Sequence, residues 1–319
     1  MDRNKQVDII RGGAILLVVL EHALGTTDNF FARIILSFHM PIFFILSGYL
    51  AHEKSNGTFG KVVIKKLKRL LIPQITLAIL SFCYNFLIGN LVLHTATASE
   101  LNIVNCFFRW WFLLVMAQVV VIWEVLVRIA GKHMLKAEIV LLFICVVYMA
   151  VVPQGISGPL YIAVTPVAFG YYVAGNLLHR VKKKFESRND NTNFVRILIC
   201  IIEALLTTIL SQLNAPILMY ENTYGVVSVS IVTAFLGYFV LNNMAMLMGE
   251  NRFLQWCGRN SIIIYVIHFC VVQGVRGVLV RIVPLPLEIL GWIVFVVAGL
   301  IVIIATRFSE KYVGFAFGK

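Results

Sequence analysis

Apolar runs of about twenty residues, divided by short basic clusters, constrain this chain more than any other feature. A helix that crosses the hydrocarbon core of a bilayer needs about 20 mainly apolar residues, within a range near 17–25. Candidate spans fall at residues 9–27, 33–52, 70–90, 110–129, 138–153, 160–178, 196–212, 225–246, 260–276 and 288–306. A water-soluble fold has nowhere to hide them. Of 319 residues, 60% are hydrophobic and 13% charged, against roughly 45–50% and about 25% in a soluble domain. The expected architecture is an all-α integral membrane protein: one domain over residues 1–319, built as a bundle of about ten transmembrane helices. No internal repeat, low-complexity tract or extramembrane domain interrupts the pattern. The basic and then apolar start resembles a signal peptide. However, Asp8 and Arg11 lead the run, Glu21 and His22 interrupt it, and no Ala-x-Ala site follows, so it reads as a retained first span.

The net charge of +12 raises nucleic acid as a partner, but no hydrophilic basic domain exists to bind it. The basic residues instead cluster between spans, as the positive-inside rule predicts for cytoplasmic loops. With the N-terminus inside and ten crossings, segments such as 53–69 and 179–195 lie on the cytoplasmic side. Of the 27 Lys and Arg residues, all but Arg33, Arg109, Arg276 and Arg281 then face the cytoplasm. Both termini are expected to be cytoplasmic.

Ionisable groups inside hydrocarbon cost at least a few kcal/mol, so each marks a functional candidate. The first span holds the richest set. Asp8, Arg11 and His22 follow i, i+3, i+4 spacing and share one helix face. Arg11 and His22 are separated by roughly 16 Å at 1.5 Å per residue, which puts Arg11 at the cytoplasmic mouth and His22 beyond the midplane. An interfacial ion pair plus a packed histidine would leave the same trace. In the second span His39 precedes Pro41, whose freed carbonyls need protein or a cavity around them. Ser47 and Gly48 permit close helix approach. Lys66 and Arg69 share a face at the mouth of the third span, suited either to anchor the helix or to clamp a phosphate. Glu124, Glu203 and His268 complete the candidates; either glutamate could orient His22 or line a cavity. Trp110 and Trp111 read as an interfacial belt, and Tyr220 to Tyr224 as a belt or a sugar-stacking loop. Six scattered cysteines, with no Cys-x-x-Cys, read as apolar fillers, and no metal site is expected.

Four segments together resemble the acyltransferase-3 family of multispan membrane acyltransferases. They are Asp8-x-x-Arg11-Gly12 with His22; Phe38-His39-Met40-Pro41-Ile42-Phe43-Phe44 through Ser47-Gly48-Tyr49; Lys68-Arg69-Leu70-Leu71-Ile72-Pro73; and Gly258-Arg259-Asn260-Ser261 through Tyr265 and His268. In the last, Asn260 or Ser261 is expected to cap the ninth span, with Tyr265 and His268 on one face. Where the family often has Arg-x-x-Arg, this chain has Lys66-x-x-Arg69, a point charge in place of a bidentate fork. The resemblance implies a bacterial cytoplasmic-membrane enzyme moving an acyl group, usually acetyl, from acyl-coenzyme A to a hydroxyl of an envelope carbohydrate or its lipid-linked precursor. Arg11, Lys66 and Arg69 would then hold the phosphates of acetyl-CoA, His22 would act as general base or be transiently acylated, and His39 would supply a second polar contact. Asp8, Glu124, Glu203, Tyr265 and His268 would support the site or touch substrate. A transporter or flippase of an envelope carbohydrate is the rival reading, but it predicts repeats and paired broken helices.

Overall fold

Every expected apolar segment falls on a helix. The computed structural model describes residues 5–51, 57–91, 96–185 and 193–318; Arg3, Lys54, Arg188 and Lys319 of the charge argument lie outside the described residues. In chain order the helices are α1 (Lys5–Leu24), α2 (Phe30–Leu36), α3 (His39–Tyr49), α4 (Phe59–Tyr84), α5 (Ile103–Arg109), α6 (Trp111–Ala130) and α7 (Met134–Val151). They continue with α8 (Thr165–Phe185), α9 (Asn193–Leu213), α10 (Val227–Met248), α11 (Arg252–Arg259), α12 (Ser261–Ile282) and α13 (Leu287–Tyr312). Among the described residues there is no β-strand, only an isolated bridge between Leu218 and Thr223.

Among the described residues eight stretches are long and apolar enough to cross a membrane, and one of these, Trp111–Val151, contains both α6 and α7. Helix α1 is not among the eight, because Asp8, Arg11 and Glu21 lower its apolar character. Outward-facing side chains such as Phe143, Leu205, Leu213, Val296 and Ile304 are exposed. That surface suits lipid, which leaves apolar side chains undisturbed while helices satisfy their own backbone groups.

Charged α1 lies at the centre, packing against α2, α3, α10, α11, α12 and α13. Burial on most sides explains how a helix with so many polar groups is accommodated. The α3–α8 crossing depends on glycine: a Cβ at Gly48 would collide with the Tyr172 carbonyl, and one at Gly175 with that of Ile45. The expected close approach at Gly48 is therefore present.

The second span departs from a kinked helix. It breaks into α2 and α3 at Ser37 and Phe38, where the Ser37 N–H turns back to the Arg33 and Ile34 carbonyls and the Phe38 N–H to that of Ile35. Pro41 does not bend a helix midway; it sits in the first turn of α3, where a missing N–H leaves no bond unmade. His39 consequently opens a helix near the middle of the span. Asn260 also differs from expectation. It stands at the start of α12 without a side-chain cap, its Nδ2 donating instead to the Trp256 carbonyl at 3.2 Å and to Glu310 Oε2 at 3.0 Å.

Candidate active site

Two hollows lie along the inner helices. The larger, about 520 Å³, is at the carboxyl end of α1, and His22, His39, Tyr265 and His268 all line it. The smaller, about 160 Å³, is lined by Arg11 together with Ile15, Phe43, Leu70, Phe112 and Met116. Met40 and Tyr265 line both. Arg11 and His22, on one stripe of α1, therefore open into separate chambers that share Met40 and Tyr265 as lining.

In the larger chamber the imidazoles are close. The His22 and His268 rings have centroids 5.1 Å apart, and Tyr265 lies 5.9 Å from His268. His39 Nδ1 donates to the Ile35 carbonyl at 2.8 Å, which also accepts from the Phe38 N–H at the α2–α3 break. His268 Nδ1 donates to the Tyr265 carbonyl at 2.8 Å and the Ile264 carbonyl at 3.1 Å. In their neutral forms both rings consequently keep Nε2 as an acceptor. His268 Nε2 is buried with no hydrogen-bond partner among the described residues. His22 is held differently, with Nδ1 3.2 Å from Glu21 Oε2, and a third of its side chain is exposed (35%).

The rest of the lining is aromatic and polar, with Trp110, Trp111, Tyr161, Tyr220, Arg109 and Arg276. The tryptophans expected at a lipid belt thus face the chamber. Trp110 is anchored by a 3.0 Å bond from Nε1 to Ser81 Oγ and by an edge contact with Phe269. Of the tyrosine loop, Tyr220 faces the chamber, whereas Tyr224 is buried with its hydroxyl unpartnered among the described residues. Burial, then the Glu221 carboxylate, pushes the Tyr220 phenol up to about 12, so it stays a hydrogen-bond donor at neutral pH. Arg109 pairs with Glu100 at 2.8 Å.

The remaining candidates lie elsewhere. Asp8 is buried on α1 at the Arg11 end. Lys66 Nζ binds Glu124 Oε1 at 2.5 Å, and Arg128 Nη1 binds Glu124 Oε2 at 2.6 Å; none of the three lines either hollow. Arg69 is exposed, one residue before Leu70 in the wall of the smaller hollow. Glu203 accepts from Asn243 Nδ2 at 2.8 Å, joining α9 to α10 away from both chambers. Sequence reasoning missed Glu21, Gln273 and Arg276 as wall residues. Phe269, Gln273 and Arg276 follow i, i+4, i+7 spacing, a signal present in the sequence. No group of His, Cys, Asp and Glu that could hold a metal ion occurs among the described residues.

The family profile described as an acyltransferase domain, of the acyltransferase-3 family, matches residues 4–308. Nodulation protein NolL of Sinorhizobium fredii (strain NBRC 101917 / NGR234) is 38% identical over 84 residues, 23% of this chain. The chain spans about a quarter of that relative's length, 23%. No solved structure matches the chain. A profile that runs through α1 to α13 and includes every residue of both chambers settles the family: this chain is a membrane protein belonging to the acyltransferase-3 family.

Proposed function

We propose that the chain is a membrane-embedded O-acyltransferase that moves an acyl group, acetyl foremost, from acyl-coenzyme A to a hydroxyl of an envelope carbohydrate. In this reading it is a single unit of ten spans in the bacterial cytoplasmic membrane, with both termini in the cytoplasm, partnered by acetyl-CoA, the acceptor and the bilayer. The observation that carries it is the pair of hollows in series, meeting at Met40 and Tyr265.

The donor is anionic and made in the cytosol. Its phosphates meet Arg11 and the basic rim that includes Arg69, while its uncharged arm enters the apolar smaller hollow. Roughly 16 Å of helix separates Arg11 from His22, at 1.5 Å per residue, a distance an extended arm can cover. The thioester then emerges between Met40 and Tyr265 into the larger chamber. There the acceptor sugar stacks on the aromatic wall and presents a hydroxyl to His22. As the hydroxyl oxygen bonds to the thioester carbon, its proton passes to the imidazole and the carbonyl electrons move onto oxygen. Collapse of that adduct expels the thiolate, which takes the proton from His22 and leaves as free coenzyme A. Positioning contributes much of the acceleration, since both reactants arrive already oriented.

Mass spectrometry of envelope carbohydrates tests the reading. Cells lacking the gene should lose an acetyl increment that returns with the wild-type gene and not with His22→Ala. Identical acetylation in all three strains would overturn it.

A further inference from the structure

We propose that Glu21 is the positioning residue of His22, and that Arg276, seated on Gly25, fixes Glu21 in turn. The inference rests on His22 acting as the base and specifies which of its nitrogens does so.

Imidazole has two nitrogens, and a base needs the unprotonated one to face its substrate. The partner of the other nitrogen decides which that is. His39 and His268 both donate from Nδ1 to backbone carbonyls, so their tautomers follow from the helices that carry them. His22 does not share that arrangement: its Nδ1 lies 3.2 Å from Glu21 Oε2. In this proposal the Nδ1 proton of His22 faces Glu21, because a carboxylate only accepts, and Nε2 keeps its lone pair. Glu21 itself lines the larger chamber, with its side chain 13% exposed.

Arg276 reaches this corner from α12. Its Nη2 donates to the Ala23 carbonyl at the end of α1, and its charge acts on Glu21. The guanidinium occupies the space above Gly25, whose φ is +71°. Any Cβ at that position would overlap Nη1 and Cζ. Glycine is therefore required there twice, for its backbone and for the space it leaves to the guanidinium. Arg276, Glu21 and His22, a cation, a carboxylate and an imidazole, all line this corner of the larger chamber.

Histidine-labelled full-length protein in nanodiscs, read by 13C and 15N NMR, tests this without reference to turnover. The His22 signal is identified by its loss in His22→Asn. The expected spectrum has His22 protonated at Nδ1 in the wild type and mixed between tautomers in Glu21→Gln and Gly25→Ala. A wild-type His22 protonated at Nε2 would overturn the proposal with no Glu21 or Gly25 variant needed. In acetyl-transfer assays Glu21→Gln should lower kcat by about 10²- to 10⁴-fold with donor KM unchanged, and Glu21→Asp should recover part of the loss. Wild-type kcat in Glu21→Gln also overturns the proposal. Transfer that persists in His22→Ala instead rejects His22 as the base, an outcome the tautomer spectrum keeps separate.

Discussion

Glu124 on α6 and Glu21 on α1 illustrate opposite uses of a charge within one helix bundle. Glu124 on α6 has each oxygen paired, one with Lys66 and one with Arg128, and its side chain is 4% exposed. Its cations come from α4 and from one turn along α6, so the cluster ties helices together. Glu138 on α7 likewise faces a cation across a helix pair, Arg180 Nε on α8 at 3.2 Å. Glu21 lies instead on the wall of an open chamber, bearing on a histidine that is itself one-third exposed. A carboxylate answered on both oxygens is architecture. One that faces a hollow and steadies an imidazole is available for chemistry.

Substitutions can separate these uses. The largest effect is expected from His22→Ala, which should lower acyl transfer by about 10²- to 10⁴-fold while the thermal unfolding of the purified protein stays close to wild type. An equal loss of stability would place His22 with Glu124 as architecture. Glu124→Ala should behave in the opposite way. Removing one partner of a buried pair costs about 3–5 kcal/mol, so denaturation in detergent should shift markedly while kcat per folded molecule holds. A third comparison divides Lys66 from Arg69. Calorimetry with coenzyme A should show Arg69→Ala weakened several-fold, about 1 kcal/mol for an exposed charge, and more so at low salt. Lys66→Ala should mainly lower stability, since its ammonium is engaged by Glu124.

The smallest effect belongs to Glu100 in the loop before α5. The Thr97 N–H, then Arg109, hold its carboxyl below the ordinary value of 4.5. A lowered value in the folded state means the contribution is present above pH 4.5 and fades as pH falls through the folded value. Being largely exposed, the pair is worth under about 1 kcal/mol. Hydrogen exchange in residues 97–109 should quicken only in acid beyond the intrinsic pH trend, and Glu100→Gln should remove that dependence.

Much of this arrangement was legible in the chain. Apolar runs located the helices, and the Asp8–Arg11–His22 stripe pointed to one helix face on which Arg11 and His22 open into hollows. Gly48 announced the α3–α8 crossing. Other features were hidden for physical reasons. The α2–α3 break falls within unbroken apolar sequence, and Ser37 is too common a residue to announce it. Lys66 and Glu124 lie 58 residues apart, so their pairing depends on how α4 meets α6, which no local spacing encodes. Glu21 read as an interruption of a span because its value lies in the histidine beside it and in an arginine 255 positions away. Trp110 looked like a belt residue until its indole found Ser81 on α4.

The narrow join at Met40 and Tyr265 has an electrical consequence. Under the proposed function the hollows approach from opposite faces and shorten the insulating layer, so a transmembrane voltage would fall mainly across the lining they share. Each elementary charge crossing 100 mV is worth about 2.3 kcal/mol, enough to drive protons through any lasting opening. Tyr265 is braced by Phe112, their centroids 5.4 Å apart, whereas methionine is an unbranched, pliant stopper. A thin molecular arm can push past such a stopper while ions find it shut, so in the proposed reaction the donor could pass without discharging the membrane.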